Sequence, residues 1–108
     1  MSGKSEAKRL SEPTARVHEV KTWADPFRAT WSGDKPYEIR NDDRGYRVGD
    51  VLHEREWYEH CDAYSGREMF ARITHKTSGG EWGLPSGLCV LGIRVIERVE
   101  QPRFPNAR

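Results

Sequence analysis

The chain has 108 residues, of which 35% are hydrophobic and 32% are charged, and its mean hydropathy is -0.89. This length accommodates one domain, and four Trp, four Tyr and three Phe supply large apolar side chains that a disordered chain rarely carries. The formal net charge is only +1, which excludes a protein that holds nucleic acid mainly through a broad basic surface.

The N-terminal part of the chain predicts a flexible leader, a first strand and a short helix. Residues 1–15 are rich in Ser, Lys, Glu and Ala and are almost devoid of apolar side chains, which is typical of a leader. Val17–Trp23 is rich in β-branched residues and loosely alternating, so it predicts a strand. A helix follows, with Asp25 as its N-cap, Pro26 at its first position and Gly33 at its end.

Turn residues divide the remainder of the chain into four further strands. A glycine-rich loop, Thr77–Gly87, precedes the last strand, and residues 100–108 form a tail. The predicted strands are Pro36–Asp42, Val51–Tyr58, Arg67–His75 and Leu88–Val99. Five short strands with one early helix predict a mainly β fold of the α+β type, a small barrel spanning residues 16–99.

The second predicted strand carries the most informative polar residues. Period-two geometry places Tyr37 and Ile39 on one face, which we expect to meet the core, and Glu38 and Arg40 together on the other. Lys35 precedes a proline, so its backbone is extended. One carboxylate and two cations on restrained backbone offer the donors and acceptor that a base edge requires.

The alternative is a solvated face of salt bridges that contributes little to stability. Between Asp34 and Asp50 the chain has four basic and five acidic side chains, so the segment is balanced in charge. If this segment binds nucleic acid, we therefore expect a selective pocket rather than a patch that grips phosphate.

Four segments of the chain resemble the ASCH domain, a branch of the PUA-like superfamily, and within it a bacterial and phage group of unknown function. The hallmark stretch G-x-K-x-x-E-x-R occurs as Gly33, Lys35, Glu38 and Arg40. The other matching segments are H-x-V-K-T-W at residues 18–23 followed by Phe27, DR-G-x-x-V-GD at residues 43–50, and Y-x-G-R at residues 64–67. The resemblance extends from about His18 to Glu97.

The resemblance implies a PUA-like β-barrel with a cleft that is lined by the hallmark residues and binds RNA. One enzymatic branch of the family removes an acetyl group from acetylated cytidine with a Lys, a Thr and a Glu. Lys35 corresponds to that Lys, but Glu38 stands where the Thr would be, so the nucleophilic chemistry does not transfer intact. Glu68 and Glu81 are the candidates for the family's Glu.

Two tryptophans have open interpretations. The aromatic residues around the short helix suit a core, but Trp23 follows Lys21 at a strand end, where its ring could instead stack on a base. Trp82 lies among glycines in the long loop, so it either closes over a ligand or pins the loop.

Several classes of site and location are not indicated. Cys61 and Cys89 form no CxxC pair, and the four histidines are scattered, so we expect no metal site and no cofactor. No apolar run approaches the roughly 18 residues that span a membrane, and the N-terminus has no signal-peptide core. We therefore expect a cytoplasmic monomer that has no membrane partner.

The leading hypothesis is a module that binds RNA or a modified nucleotide. Lys35, Glu38 and Arg40 would contact the base, Lys21 and Arg44 would meet phosphate or ribose, and Trp23 would stack. The second hypothesis is a small amidohydrolase that acts on an acetylated nucleoside, with Lys35 and Glu38 as catalytic residues. The third is a protein-interaction domain.

Overall fold

A computed structural model describes residues 15–100 of the chain. The predicted leader over residues 1–15 and the predicted tail over residues 100–108 therefore lie, except for their innermost residues, outside the described range. No helix within residues 15–100 is long and apolar enough to cross a membrane.

Five strands form one sheet that curves into a half-barrel, and one short helix follows the first strand, so the predicted fold class is confirmed. The elements are β1 (Val17–Trp23), α1 (Ala24–Ser32), β2 (Tyr37–Asn41), β3 (Val51–Tyr58), β4 (Ala63–Ser78) and β5 (Leu88–Val99). The strand order is β1-β3-β4-β5-β2, in which β1 pairs in parallel with β3 and every other pair is antiparallel.

The bounds of β1, β3 and β5 agree with the sequence prediction, whereas β4 begins earlier than predicted. The chain enters β4 at Ala63 and runs through the predicted turn, because Gly66 at φ 102° adopts a left-handed conformation within the strand. The register between β3 and β4 shifts between Arg55 and Trp57, which pair with Glu68 and Tyr64, respectively. The predicted turn on β4 is therefore a bulge within the strand.

Helix α1 ends as predicted but begins earlier. Gly33 ends the helix in the left-handed conformation at φ 92°, and its N–H donates to the carbonyl of Thr30. The N-cap is Trp23 rather than Asp25, because the helix follows β1 without a linker. Asp25 instead lies in the first turn, where its carboxylate interacts favourably with the helix dipole.

Strand β2 alternates as predicted, but the prediction of its inner face is wrong. Tyr37 and Ile39 are 43% and 57% exposed, whereas Glu38 is buried and Arg40 is mostly buried. The interior beside β2 is polar, since Thr22 of β1 and Glu54 of β3 face it, and these groups accommodate a carboxylate and a guanidinium.

The apolar core lies mainly along β4 and β5, while the inner face of β2 and β3 also carries carboxylates. The core cluster comprises Tyr46, Leu52, Ala71, Ile73, Cys89, Leu91 and Ile93. The two edge strands, β1 and β2, are joined by side chains, because Arg40 Nη2 donates to Thr22 Oγ1 at 2.9 Å. The polar cluster therefore lies where the half-barrel is open.

Candidate functional site

A cleft of about 180 Å³ lies between β1 and β2, next to the start of α1. It is lined by Lys21, Thr22, Trp23, Pro26, Lys35, Glu38, Ile39 and Arg40. Five of the six predicted site residues are thus together in one cavity. The sixth, Arg44, lines a neighbouring cavity of about 200 Å³ that shares Lys21 and Arg40 with the cleft.

The inner wall of the cleft is a hydrogen-bonded cluster of four polar side chains. Arg40 Nε donates to Glu38 Oε1 at 2.7 Å, and its Nη2 donates to the hydroxyl of Thr22. The Thr22 hydroxyl donates in turn to Glu54 Oε1 at 2.9 Å. One guanidinium therefore faces two buried carboxyl groups, and Glu54 is fully buried.

Burial raises the pKa of Glu54 well above its usual value, and the hydrogen bond and the negative charge of Glu38 raise it further. If both groups were ionised, Glu38 Oε2 and Glu54 Oε2 would have no hydrogen-bond donor among residues 15–100. A proton on Glu54 would supply the missing donor, and this is the form that burial and the negative charge of Glu38 favour.

The rim of the cleft combines two amino groups with an aromatic ring. Lys35 Nζ donates to the carbonyl of Tyr37 at 2.9 Å, and Lys21 Nζ lies 4.1 Å from the centroid of the Trp57 ring. Trp23 is 57% exposed, so its interpretation as a core residue is wrong, while Phe27 is fully buried. The exposed ring of Trp23 is available to a ligand.

The remaining predicted site residue, Arg44, is only partly committed to the fold. Its Nη1 donates to the carbonyl of Glu19 at 2.6 Å, which orients the side chain along β1. A guanidinium has five donor hydrogens, so this contact leaves most of them available. Arg44 therefore extends the charged rim into the neighbouring cavity.

The end of the segment from Gly33 to Asp50 is held by hydrogen bonds within the fold. Asp50 is buried and accepts hydrogen bonds from the backbone N–H groups of Arg16 and Arg47, both at 3.1 Å, and lies 2.9 Å from His18 Nε2. Burial alone would raise the pKa of Asp50, but the hydrogen bonds from His18 and the two backbone groups lower it. Asp50 therefore fixes the turn before β3 onto the start of β1.

The sequence analysis missed Thr22 and Glu54. The alternation of the two strands could have indicated that both side chains point inward, because Thr22 lies on the same face of β1 as His18 and Glu54 lies on the same face of β3 as Leu52. The two glutamates proposed instead do not line the cleft: Glu68 contacts His53 at 2.6 Å, and Glu81 accepts from the N–H of Ser78 at 3.3 Å.

The other candidates have simple outcomes. The ring of Trp82 is 93% exposed, so the interpretation that it pins the loop is wrong. Trp82 also does not line the cleft. Cys61 and Cys89 are both free thiols. A search of residues 15–100 finds no group of three or more His, Cys, Asp or Glu side chains placed to hold a metal ion.

Comparison with known proteins identifies a family but no activity. The family model described as a domain of unknown function, DUF3850, matches residues 17–93, which contain the cleft and all five strands up to the middle of β5. An uncharacterised 12.9 kDa protein in the GpA 3' region of Escherichia phage P2 is 40% identical over 68 residues. That alignment covers 63% of this chain and 61% of the phage protein.

Proposed function

The chain belongs to the DUF3850 family, and we propose that it is a module that binds RNA or a modified nucleotide in the cleft between β1 and β2. One observation carries the proposal: a single cavity gathers an exposed indole ring, two amino groups and a buried carboxylate paired with a guanidinium. These are the groups that bind the face, the phosphate and the edge of a nucleotide, respectively.

The inner wall of the cleft suits the edge of a base. Glu38 accepts hydrogen bonds and Arg40 donates them, and their mutual bond at 2.7 Å fixes the spacing between acceptor and donor. A base edge presents donors and acceptors at fixed positions, and unpaired bases are recognised by hydrogen bonds to that edge. The ring of Trp23 at the rim would stack on the face of the same base.

The rim suits the phosphate and the ribose. Lys21 lines the cleft from β1 and Lys35 lines it from the turn before β2, and Arg44 lies in the adjoining cavity. A carboxylate repels phosphate, so the base would lie toward Glu38 and the phosphate toward the lysines. This polarity supports a selective pocket, in agreement with a net charge of only +1. The resemblance of the Gly33–Arg40 segment to the ASCH domain supports the same class of ligand.

The proposal is tested by titrating the full chain with a panel of nucleosides, nucleotides and short RNAs and measuring binding by calorimetry. We expect Lys35→Ala and Glu38→Gln each to weaken binding by roughly 10- to 100-fold, since each removes a charge-assisted hydrogen bond. Arg47→Ala is the matched control, because it removes an exposed cation from the same segment without touching the cleft. Absence of saturable binding across the panel would contradict the proposal.

A second function, hydrolysis of an acylated nucleoside, is favoured by one specific observation. Burial and the neighbouring Glu38 raise the pKa of Glu54, and Thr22, whose hydroxyl donates to Glu54, also lines the cleft. Two carboxyl groups in different protonation states are suited to general acid and general base roles. Thr22 also places a hydroxyl in the cleft, although position 38 has none.

Incubation with acetylcytidine, followed by chromatography, separates the enzyme from the binding module. Turnover that Lys35→Ala abolishes would establish the amidohydrolase. Saturable binding without turnover would leave the binding module. If neither the titration nor the incubation responds, the third hypothesis, a protein-interaction domain, remains.

A further inference from the structure

Three aromatic side chains form a row across the outer face of the sheet. Trp23 on β1 pairs in register with Trp57 on β3, and Trp57 pairs with Tyr64 on β4. The rings of Trp57 and Tyr64 pack edge to face with centroids 4.8 Å apart. We call these three residues the aromatic row.

The row leaves a large aromatic area exposed. Trp23 is 57% exposed and Tyr64 is 38% exposed, and Trp57 between them is half-buried. Contiguous exposed aromatic surface on a small domain marks a binding site more often than scattered apolar residues do. The row contributes little to the core, because the apolar core lies on the opposite face of the sheet.

Two cations accompany the aromatic row. Lys21 Nζ lies 4.1 Å from the centroid of the Trp57 ring, and Arg55 Cζ lies 3.9 Å from that of Tyr64. Arg55 is also paired with Glu19 and Glu68. Lys21 forms no ion pair with any residue from 15 to 100, so its charge is available beside the rings.

The aromatic row is continuous with the cleft. Lys21 and Trp23 line the cleft, and Trp23 also lines a cavity of about 290 Å³ on its other side, together with Trp57, Tyr58 and His60. A ligand strand that extends from the cleft past Trp23 would therefore contact Trp57 and then Tyr64. Rings with an adjacent cation are the arrangement that binds unpaired bases and their backbone.

We propose that Trp57 and Tyr64 of the aromatic row stack the two bases that adjoin the nucleotide held at Trp23, so that the ligand is a single strand of RNA at least three nucleotides long. This inference rests on the proposed function of the cleft. A single strand is required because the faces of paired bases are covered by their neighbours in a duplex. A protein segment is the competing occupant, and absence of heptamer binding would favour it.

The test compares two probes on the full chain by fluorescence anisotropy and calorimetry: random-sequence single-stranded RNA heptamers, and a mixture of the four ribonucleoside monophosphates. We expect heptamers to bind more tightly than mononucleotides. Trp57→Ala should weaken heptamer binding by roughly 5- to 100-fold, the effect of losing one stacked base. Tyr64→Ala should also weaken heptamer binding but leave mononucleotide binding unchanged, because Tyr64 lies outside the cleft. Trp82→Ala is the matched control, since it removes an exposed tryptophan outside the row.

Two further variants protect the test against loss of folding. Trp57→Phe keeps an aromatic ring and should retain most of the heptamer affinity, and Tyr64→Ala removes a half-exposed ring at the other end of the row. The role of the aromatic row would be overturned if neither Trp57→Ala nor Tyr64→Ala weakens heptamer binding, or if an RNA duplex binds as tightly as the heptamers. If Lys35→Ala still reduces mononucleotide binding in that case, the proposed function of the cleft stands. Failure of both probes to bind would overturn the proposed function and this inference together.

Discussion

Glu54 and Glu56 are two buried glutamates on the same face of β3 whose pKa values shift in opposite directions. Burial and the neighbouring Glu38 raise the pKa of Glu54. Burial also acts on Glu56, but hydrogen bonds from Arg67, Ser65 and Arg28 outweigh it and lower the pKa. Burial thus disfavours the charged form of both carboxyl groups, and the hydrogen-bond partners decide whether the pKa ends above or below its usual value.

The raised pKa of Glu54 predicts a dependence of stability on pH. A carboxyl group whose pKa is higher in the folded state stabilises the fold below its unfolded pKa, and this stabilisation is lost as pH rises through the folded pKa. Glu54→Gln mimics the neutral acid, because its carbonyl can accept from Thr22 and its amide can donate to Glu38. We expect the variant to become more stable than the natural chain as pH rises, by about 1.4 kcal/mol for each unit by which the pKa is raised.

Urea unfolding between about pH 4 and pH 8 measures this difference. Glu56→Gln is the matched control, and it should have the opposite sign: its stabilisation is present above the unfolded pKa of Glu56 and is lost as pH falls through the folded pKa. A constant difference between the natural chain and Glu54→Gln over this range would show that folding does not raise the pKa of Glu54.

The sequence allowed prediction of the residues around the cleft better than prediction of its interior. Lys21 lies on β1, Lys35 in the turn before β2 and Arg40 on β2, and the strand and turn patterns of these segments are visible in the sequence. Thr22 and Glu54 could not be placed, because their contact depends on which strands become neighbours. The alternating charges of His53–Glu56 also resemble a solvated strand, although one face of that strand is buried.

At the scale of elements, Glu56 fastens α1 to the sheet. Arg28 of α1 donates to Glu56 at 3.0 Å, and Arg67 of β4 donates to both of its carboxylate oxygens, at 3.1 and 3.2 Å. The guanidinium of Arg67 also lies 4.7 Å from the Trp31 ring centroid on α1. Because α1 carries one wall of the cleft, this attachment supports the site indirectly.

Removal of this attachment should destabilise the fold. We expect Glu56→Ala to lower the free energy of unfolding by about 3 kcal/mol, because Arg67 would lose its buried partner. Arg28→Ala should cost no more than about 1 kcal/mol, since the side chain of Arg28 is 53% exposed and solvent screens its charge. Chemical denaturation of both variants checks the ranking, and similar losses in the two would show that the exposed pair contributes as much as the buried one.

Element bounds were predictable where turn residues lie close to the strand ends, as for β3 and β5. They were not predictable for β4, because a glycine in a bulge has the same sequence signature as a glycine in a turn. The inner face of β2 was predicted wrongly for a different reason. The alternation itself was correct, but the assumption that apolar side chains point inward fails where Glu38 and Arg40 satisfy each other inside.

At the scale of the whole molecule, the charge balance predicts how binding should respond to salt. The chain has a net charge of +1, and the proposed mode of binding brings three side chains, Lys21, Lys35 and Arg44, to phosphate. Each neutralised phosphate contributes about -0.7 to the slope of log affinity against log salt concentration for a single strand.

We therefore expect RNA heptamers to bind with a shallow slope, no steeper than about -2. Anisotropy titrations over a series of salt concentrations measure it, and Lys21→Gln should reduce its magnitude by about 0.7. Trp57→Ala should weaken binding without changing the slope, because stacking releases no counterions. A slope as steep as that of a basic nucleic-acid-binding protein would contradict a selective pocket.

The strand order also has a consequence for the way the molecule folds. Strands β3, β4 and β5 are consecutive and antiparallel, so they can assemble through local contacts. The two edges of the cleft depend on distant partners instead, since Val17 pairs with Val51 and Tyr37 pairs with Gly92. Closing long loops costs entropy before the contacts compensate for it, so we expect the central three strands to form first and the cleft to form last.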